Sequence, residues 1–322
     1  MNAPSMLRVR VSRKAVEAED ICSFELASAD GAPLPAFSAG SHVDVQLPGG
    51  LTRQYSLCND PAESHRYLIG VLRDPASRGG SATLHALVRE GDLLQISPPK
   101  NHFALAHEAP RHLLLAGGIG VTPILCMAER LAQTGAAFEM HYCTRSPGRT
   151  AFRERIRAAA FAARVQFHFD DGDAAQKIDL AALLDTPRAG EHVYVCGPKG
   201  FMDAVLGRAR TAGWPEAQLH YEFFGAELAK SDADADFEVQ LASSGRVVPV
   251  GADQTVVQAL ERAGVIVPTS CEQGVCGTCL TRVLEGEIDH KDMFLTPEEQ
   301  AANDQFLPCC SRAKSARLVL DL

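Results

Sequence analysis

Residues 270–279 read SCEQGVCGTC and set Cys271, Cys276 and Cys279 within nine positions, with Gly274 and Gly277 interleaved. Thiols spaced this closely serve a disulfide, a structural zinc, a redox cluster, or nothing beyond packing. The rest of the 322-residue chain bears on that choice. The length suits two or three domains, and a composition of 46% hydrophobic and 22% charged residues is ordinary for a globular protein. A formal net charge of −9 argues against a nucleic-acid partner and suits a partner with a basic docking face. No apolar run reaches the ~18–20 residues that a membrane span requires. The opening stretch, MNAPSMLRVRVSRKAVEAED, lacks the apolar core of a secretory signal. The ten cysteines are therefore expected in a reducing, cytoplasmic setting, where stable disulfides are uncommon.

Upstream of the cysteines the chain changes character twice. From about 7 to 105 it reads as short strands broken by Gly and Pro, among them SHVDVQLPGG, RYLIGVLRD and GDLLQISPP. Strands at this spacing predict a small antiparallel barrel. From Arg111 the pattern becomes β/α alternation. HLLLAG (112–117) is a continuous apolar run, the mark of a strand buried on both faces. TPILCMAERLAQTG (122–135) reads as a helix with Thr122 at its N-cap, Pro123 in its first turn and Gly135 at its stop. FEMHYCT, RVQFHF, HVYVCG and QLHYEFF are strands; AFRERIRAAAFAA, DLAALLD and KGFMDAVLGRARTAG are helices. Such alternation predicts a parallel sheet with helices on both faces. GAELAKSDADADFEV (225–239) is poor in apolar residues and reads as a linker. Beyond it come two short strands around SSGR (243–246), then helices opened by the capping boxes Thr255/Gln258 and Thr296/Glu299.

The fourth cysteine separates the alternatives. Cys309 lies thirty residues beyond Cys279, and C-x4-C-x2-C followed by a distant Cys is the spacing of a plant-type [2Fe–2S] site, in which four thiolates hold two irons. Cluster sulfurs are rich in negative charge and need inward-facing amides. Gly274 and Gly277 permit that curvature, and Ser270 and Thr278 are small enough for close approach. Structural zinc is the main alternative, although a single C-x2-C knuckle and an x4 gap are unusual for it. Cys310 abuts Cys309 and competes with it as fourth ligand; the thirty-residue step favours Cys309. Cys22, Cys58, Cys126 and Cys143 are expected to pack as small hydrophobes.

A one-electron cluster needs an electron source. RQYSL (53–57) can hold a flavin, with Arg53 clamping phosphate, Tyr55 offering an aromatic face and Ser56 donating near the reactive ring nitrogen. RGGS (78–81) can make a backbone nest for a terminal phosphate, with Arg78 adding charge. The alternative is an ordinary strand and a surface turn. AGGIGVTP (116–123) and VCGPKG (195–200) both fall at the C-terminal ends of predicted parallel strands, where open α/β sheets bind ligands. The first departs from G-x-G-x-x-G, because Thr122-Pro123 stands where the third glycine would be. In YEFFG (221–225), Phe224 is placed to lean on a ring or simply to pack.

Taken in order, R-x-Y-S, G-G-S, G-G-x-G-x-T-P, C-G-P, E-x-F and C-x4-C-x2-C…C span nearly the whole chain, and together they resemble the phthalate dioxygenase reductase family, which includes vanillate O-demethylase reductase-type subunits. The resemblance implies an FMN-binding antiparallel β-barrel over 1–106, an NAD-binding α/β domain over 107–228, a linker at 229–236 and an α+β, ferredoxin-like (β-grasp) domain over 237–322. It implies that Arg53, Tyr55, Ser56, Val71, Arg73, Arg78, Gly79, Gly80 and Ser81 hold FMN, flanked by Thr122 and Phe224. Gly118, Gly120, Cys196, Gly197 and Pro198 would line the nicotinamide site, with Thr144 and Arg145 toward the adenosine. Ser56, Cys196 and Phe224 would stand at the chemistry, and Cys271, Cys276, Cys279 and Cys309 would hold the cluster. Arg145 could accept a 2′-phosphate, yet NADH is expected over NADPH; DDG (170–172) also sits at a strand end. The implied partner is a Rieske-type oxygenase, fed one electron at a time. The rival readings are an FAD-containing ferredoxin–NADP-type reductase, a non-catalytic redox sensor or carrier, and a binding module on a zinc scaffold.

Overall fold

The computed structural model describes residues 6–75, 79–224, 234–269, 272 and 274–322. Arg78, Cys271 and residues 229–233 of the expected linker lie outside the described residues. The chain divides into two compact units, Met1–Glu222 and Phe223–Leu322.

The first unit opens with strands β1 (Leu7–Ala18), β2 (Ile21–Ser28), β3 (Ser41–Gln46), β4 (Thr52–Ser56), β5 (Tyr67–Leu72), β6 (Leu93–Ile96) and β7 (Lys100–Asn101). They run in the order β4-β3-β6-β1-β2-β5, all neighbours antiparallel, with β7 beside β3. Leu57, just past β4, bridges Ile69 on β5, and the Cys58 amide donates to the Leu68 carbonyl at 2.9 Å. The two end strands therefore meet, and the sheet closes into a barrel without a long open edge. Period-two alternation drives this: in β6, Leu94 and Ile96 turn inward while Leu93 and Gln95 face out. The barrel interior holds Phe24, Val43, Leu57, Tyr67 and Ile69, all fully buried. Each such side chain contributes roughly 1.5–3 kcal/mol of burial. One short helix, α1 (Gly80–Leu87), lies on the barrel through Leu84.

The second sheet of this unit contains β8 (Arg111–Gly117), β9 (Ala137–Thr144), β10 (Val165–Phe169), β11 (Glu191–Cys196) and β12 (Leu219–Glu222). The order is β10-β9-β8-β11-β12 and every pair is parallel. β8 is central, and each residue after Arg111 is buried, as its unbroken apolar run requires. Helices α2 (Val121–Thr134), α3 (Arg153–Ala158), α4 (Leu180–Leu184) and α5 (Lys199–Thr211) connect the strands. The chain leaves β8 to one side and β11 to the other, so the loops after those two strands flank the switch point of the sheet.

Two helix boundaries differ from expectation. Thr122 is inside α2 rather than at its cap: a tight turn over Gly118–Gly120 starts the helix at Val121, and the Thr122 hydroxyl donates to the Ile119 carbonyl at 3.1 Å. The predicted helix over AFRERIRAAAFAA shrinks to Arg153–Ala158. Phe152 takes a left-handed φ of 57° before it, and Phe161 leaves it to pack on Phe138 with ring centroids 6.0 Å apart. Burial of two phenylalanines outweighs a few helical hydrogen bonds here.

The second unit contains β13 (Phe237–Leu241), β14 (Val247–Val250), α6 (Val256–Arg262), β15 (Thr281–Glu285), β16 (Ile288–Asp289), α7 (Pro297–Ala302), β17 (Gln305–Phe306), β18 (Arg312–Ala313) and β19 (Arg317–Leu320). Its mixed sheet runs β14-β13-β19-β15-β17, parallel only between β13 and β19; β16 and β18 form a separate pair. Both predicted capping boxes form, Thr255/Gln258 on α6 and Thr296/Glu299 on α7. Val256 and Leu260 of α6 meet Val239, Phe306, Leu318 and Leu320 in the core. No helix among the described residues is long and apolar enough to cross a membrane.

Candidate functional site

In the first unit, three short segments converge where barrel and parallel sheet abut. Gly70 on β5 makes the contact: a methyl group there would stand 2.8 Å from the Thr122 methyl and 3.1 Å from the Phe152 ring. Without a side chain at Gly70, α2 presses its first turn onto the barrel, and Thr122 is 1% exposed. The loops after β8 and β11 are packed backbone to backbone. A methyl at Gly120 would overlap the Cys196 carbonyl and stand 2.6 Å from the Gly197 nitrogen; one at Gly197 would stand 2.9 Å from the Gly117 Cα. Gly118 has a φ of 52°, and Pro198 precedes α5. Gly118, Gly120, Cys196, Gly197 and Pro198 thus form one platform.

Cys196 is fully buried, and burial, helped by the nearby Glu222 charge, holds its thiol far above the usual range. It is a neutral thiol at physiological pH, unsuited to nucleophilic attack. The Ser56 hydroxyl at the end of β4 donates to Glu222 Oε2 at the end of β12, 3.1 Å away and 166 positions on. Burial raises the Glu222 carboxyl to about 7, against the partial opposition of that hydrogen bond. His42 Nδ1 lies 4.0 Å from Glu222 Oε1. Gln54 Nε2 donates to Asp44 Oδ1 at 2.9 Å and faces His42 Nε2 at 3.2 Å, which places the imidazole proton on Nδ1, toward Glu222. Lys100 closes this chain by donating to Asp44 Oδ2 at 2.7 Å. Sequence reasoning quoted the E-x-F stretch but assigned nothing to Glu222, and it passed over His42. The available signal was a carboxylate at the C-terminal end of a parallel strand, where open α/β sheets gather their sites.

Around the barrel, Gly79 caps α1 in the left-handed region at φ 98° and, as a glycine, brings no side-chain cap of its own. The Arg53 stem lies across Gly80, where a methyl would stand 2.7 Å from Arg53 Cγ, and Arg53 Nη1 donates to the Thr52 carbonyl at 2.7 Å. The Ser81 hydroxyl accepts from the Asp74 amide at 3.2 Å. Arg53, Gly79, Gly80 and Ser81 therefore meet at one helix N-terminus, a ready anion site. Tyr55 is half-buried on β4, and burial pushes its phenol well above the usual range. Val71 is buried on β5 and its carbonyl meets His85 Nε2 at 2.9 Å. Arg73 is drawn elsewhere, with Nη2 2.6 Å from Asp20 Oδ1.

At the C-terminal end of β9, Thr144 spends its hydroxyl on the following turn, bonding the Ser146 carbonyl and Thr150 Oγ1. Arg145 is exposed and forms no ion pair among the described residues; its carbonyl accepts from the Asp171 amide at 3.1 Å. Phe224, two residues past β12, belongs to the second unit and is 38% exposed.

In the second unit, Cys279 and Cys309 are each 2% exposed within one core, and Cys276 is half-buried. Gly274 and Gly277 take φ of 72° and 69°, the left-handed bends that turn amides inward. Neither position tolerates a side chain: a methyl at Gly274 would stand 2.5 Å from Cys310 Sγ, and one at Gly277 would overlap the Phe294 ring. Cys310 packs against that loop and donates to the Leu307 carbonyl at 3.5 Å. No three potential ligands among the described residues make a metal site by themselves, and Cys271 lies outside them. The donor set, all cysteine in a glycine-bent loop, suits iron–sulfur more than a hard cation.

Comparison with known proteins adds to this geometry. Residues 239–314 match the 2Fe-2S iron-sulfur cluster binding domain family, and residues 94–219 match the N-terminal domain of dimethylamine monooxygenase subunit DmmA-like proteins. The vanillate O-demethylase oxidoreductase of Pseudomonas sp. (strain HR199 / DSM 7063) is 56% identical over 317 residues, covering 98% of this chain and 100% of that protein. A solved structure of phthalate dioxygenase reductase, described as modular for electron transfer from pyridine nucleotides to [2Fe-2S], is 41% identical with a TM-score of 0.81, covering 99% of this chain and 98% of its own. The flavohem-like FAD/NAD binding domain of nitric oxide dioxygenase from Vibrio cholerae O1 biovar El Tor is 28% identical with a TM-score of 0.61, over 68% of this chain and 98% of its own.

Proposed function

Because the chain belongs to the phthalate dioxygenase reductase family and is a flavin iron–sulfur oxidoreductase, we propose that it is the reductase component of an oxygenase system, passing electrons from NADH through FMN and a [2Fe–2S] cluster to a Rieske-type oxygenase acting on an aromatic acid or ether. The proposed domains are flavin over 1–106, nucleotide over 107–228, a linker at 229–236 and the cluster over 237–322. The observation that carries the reading is the Ser56–Glu222 hydrogen bond, which joins the barrel to the nucleotide platform at one polar point.

Bound there, FMN would supply the chemistry of accepting two electrons together and releasing them singly. The chain's own residues do the rest. Arg53, Gly79, Gly80 and Ser81, with Arg78, bind the phosphate end, while Tyr55, Ser56, Val71 and Thr122 shape the ring site. Arg73 joins them only by leaving Asp20. Gly118, Gly120, Gly197 and Pro198 admit the nicotinamide closely, with Cys196 a neutral thiol that keeps water out. Thr144 and Arg145 bound the adenosine end. Oxidation of NADH to NAD⁺ releases one proton for each pair of electrons sent on. Ser56 Oγ and the Glu222 carboxyl, poised near neutrality, hold and pass that proton, with His42 Nδ1 behind them. Cys271, Cys276, Cys279 and Cys309 hold the cluster, and Cys310 buttresses the loop.

Cofactor analysis of the purified chain tests this directly. Acid extraction is expected to release FMN, read by mass, and metal analysis about two irons per chain. Released FAD supports the rival flavin, and zinc in place of iron overturns the redox reading.

A further inference from the structure

Lys14 of β1 makes contacts that the electron-transfer chemistry leaves unexplained. Its ammonium donates to the carbonyls of Leu84, His85 and Val88 at 3.3, 2.7 and 2.8 Å. It also stands 5.2 Å from the ring centroid of Phe24, its cross-strand partner. The ammonium's donors are thereby spent on two carbonyls in the second half of α1 and on that of its C-cap, Val88. The opposite end of this eight-residue helix is the N-terminus where Gly79, Gly80, Ser81 and Arg53 meet. Helices this short do not persist alone in water, so the order of α1 comes from its anchors. Its N-cap, Gly79, has no side chain of its own to cap it; along its length Leu84 is buried and His85 Nε2 meets the Val71 carbonyl. At its C-terminus the anchor is a cation, which also complements the negative end of the helix. With a rise of about 1.5 Å per residue, Lys14 sits too far from the N-terminal amides to touch a group bound there.

We propose that Lys14 is a positioning residue for the phosphate end of the flavin, holding α1 in the one arrangement that presents its N-terminal amides beside Arg53. This rests on the FMN reading above. It gives a residue on β1, more than sixty positions from the RGGS stretch, control over affinity for phosphate without contact with it. If α1 is ordered only part of the time, the apparent affinity for a ligand that needs it falls by that fraction, while a ligand that does not need it is unaffected.

Riboflavin, which has the ring and ribityl chain but no phosphate, separates a positioning role from a general loss of structure. Full-length protein freed of flavin is titrated with FMN and with riboflavin, following flavin fluorescence. In the unaltered protein FMN binds more tightly than riboflavin. In Lys14→Met the FMN Kd rises about five- to tenfold and the riboflavin Kd stays within about twofold; Lys14→Arg restores most of the difference. Equal weakening of both ligands, or no change in either, overturns the proposal. Should Lys14→Met fail to fold, Phe24→Leu loosens the ammonium while leaving it in place, and the same narrowing of the FMN-to-riboflavin ratio is expected; an unchanged ratio overturns it. An unaltered protein that binds neither flavin would instead defeat the functional reading itself.

Discussion

Glu222 is the residue at which burial and function meet. A carboxyl raised to about 7 keeps its proton in the folded state while the unfolded chain loses it near 4.5. The folded state therefore binds more protons between those values, and stability falls as pH rises from about 4.5 through about 7. Glu222→Gln removes the charge that burial penalises. The variant is expected to gain up to about 3 kcal/mol at pH 8 and nothing below pH 4.5, read from denaturant midpoints across pH. The same substitution removes the proton acceptor for Ser56, so NADH-driven turnover should fall about 10²-fold and lose its ionisation near neutrality. A variant equally stable at both pH values would show that Glu222 is solvated in the folded chain.

At the scale of elements, the glycine loops decide how closely strand ends and helix starts approach. Gly120 has an ordinary φ of −60°, so its need for glycine is purely steric. Gly120→Ala places a methyl on the Cys196 carbonyl, which must push α2 off β11. The expected cost is about 1–3 kcal/mol, with a weaker NADH affinity and an unchanged cluster spectrum. Unaltered NADH affinity would remove this loop from the nucleotide site. The sequence announced these loops because glycine clusters at strand ends are local signals. It announced the capping boxes of α6 and α7 for the same reason. It did not announce α1: SATLHAL has too few turns for a clear period, and Lys14, which bonds the carbonyls at its C-terminal end, is distant in the chain. Nor did it reveal the pairing of Ser56 with Glu222, since neither residue signals the other across 166 positions. Arg73 pairs with Asp20, a contact that no spacing rule foresees.

For the whole molecule, barrel and parallel sheet share one compact unit and the cysteine loop belongs to the other. Of the linker expected at 229–236, Asp234 and Ala235 are held within the second unit: the Arg312 guanidinium, 8% exposed, bonds the Ala235, Gly251 and Gln254 carbonyls, and Lys291 pairs with Asp234. The division between the units falls at Glu222/Phe223, upstream of the stretch read as a linker, and the buried arginine that holds Ala235 was not legible, because its partners are backbone carbonyls. The most direct test of the account is an anaerobic titration of the intact protein with NADH, followed by visible absorption. A flavin that takes two electrons and a cluster that takes one require roughly 1.5 NADH per chain, with both chromophores bleached. A protein carrying its full complement of flavin, iron and sulfide that stays unbleached by excess NADH would contradict the account.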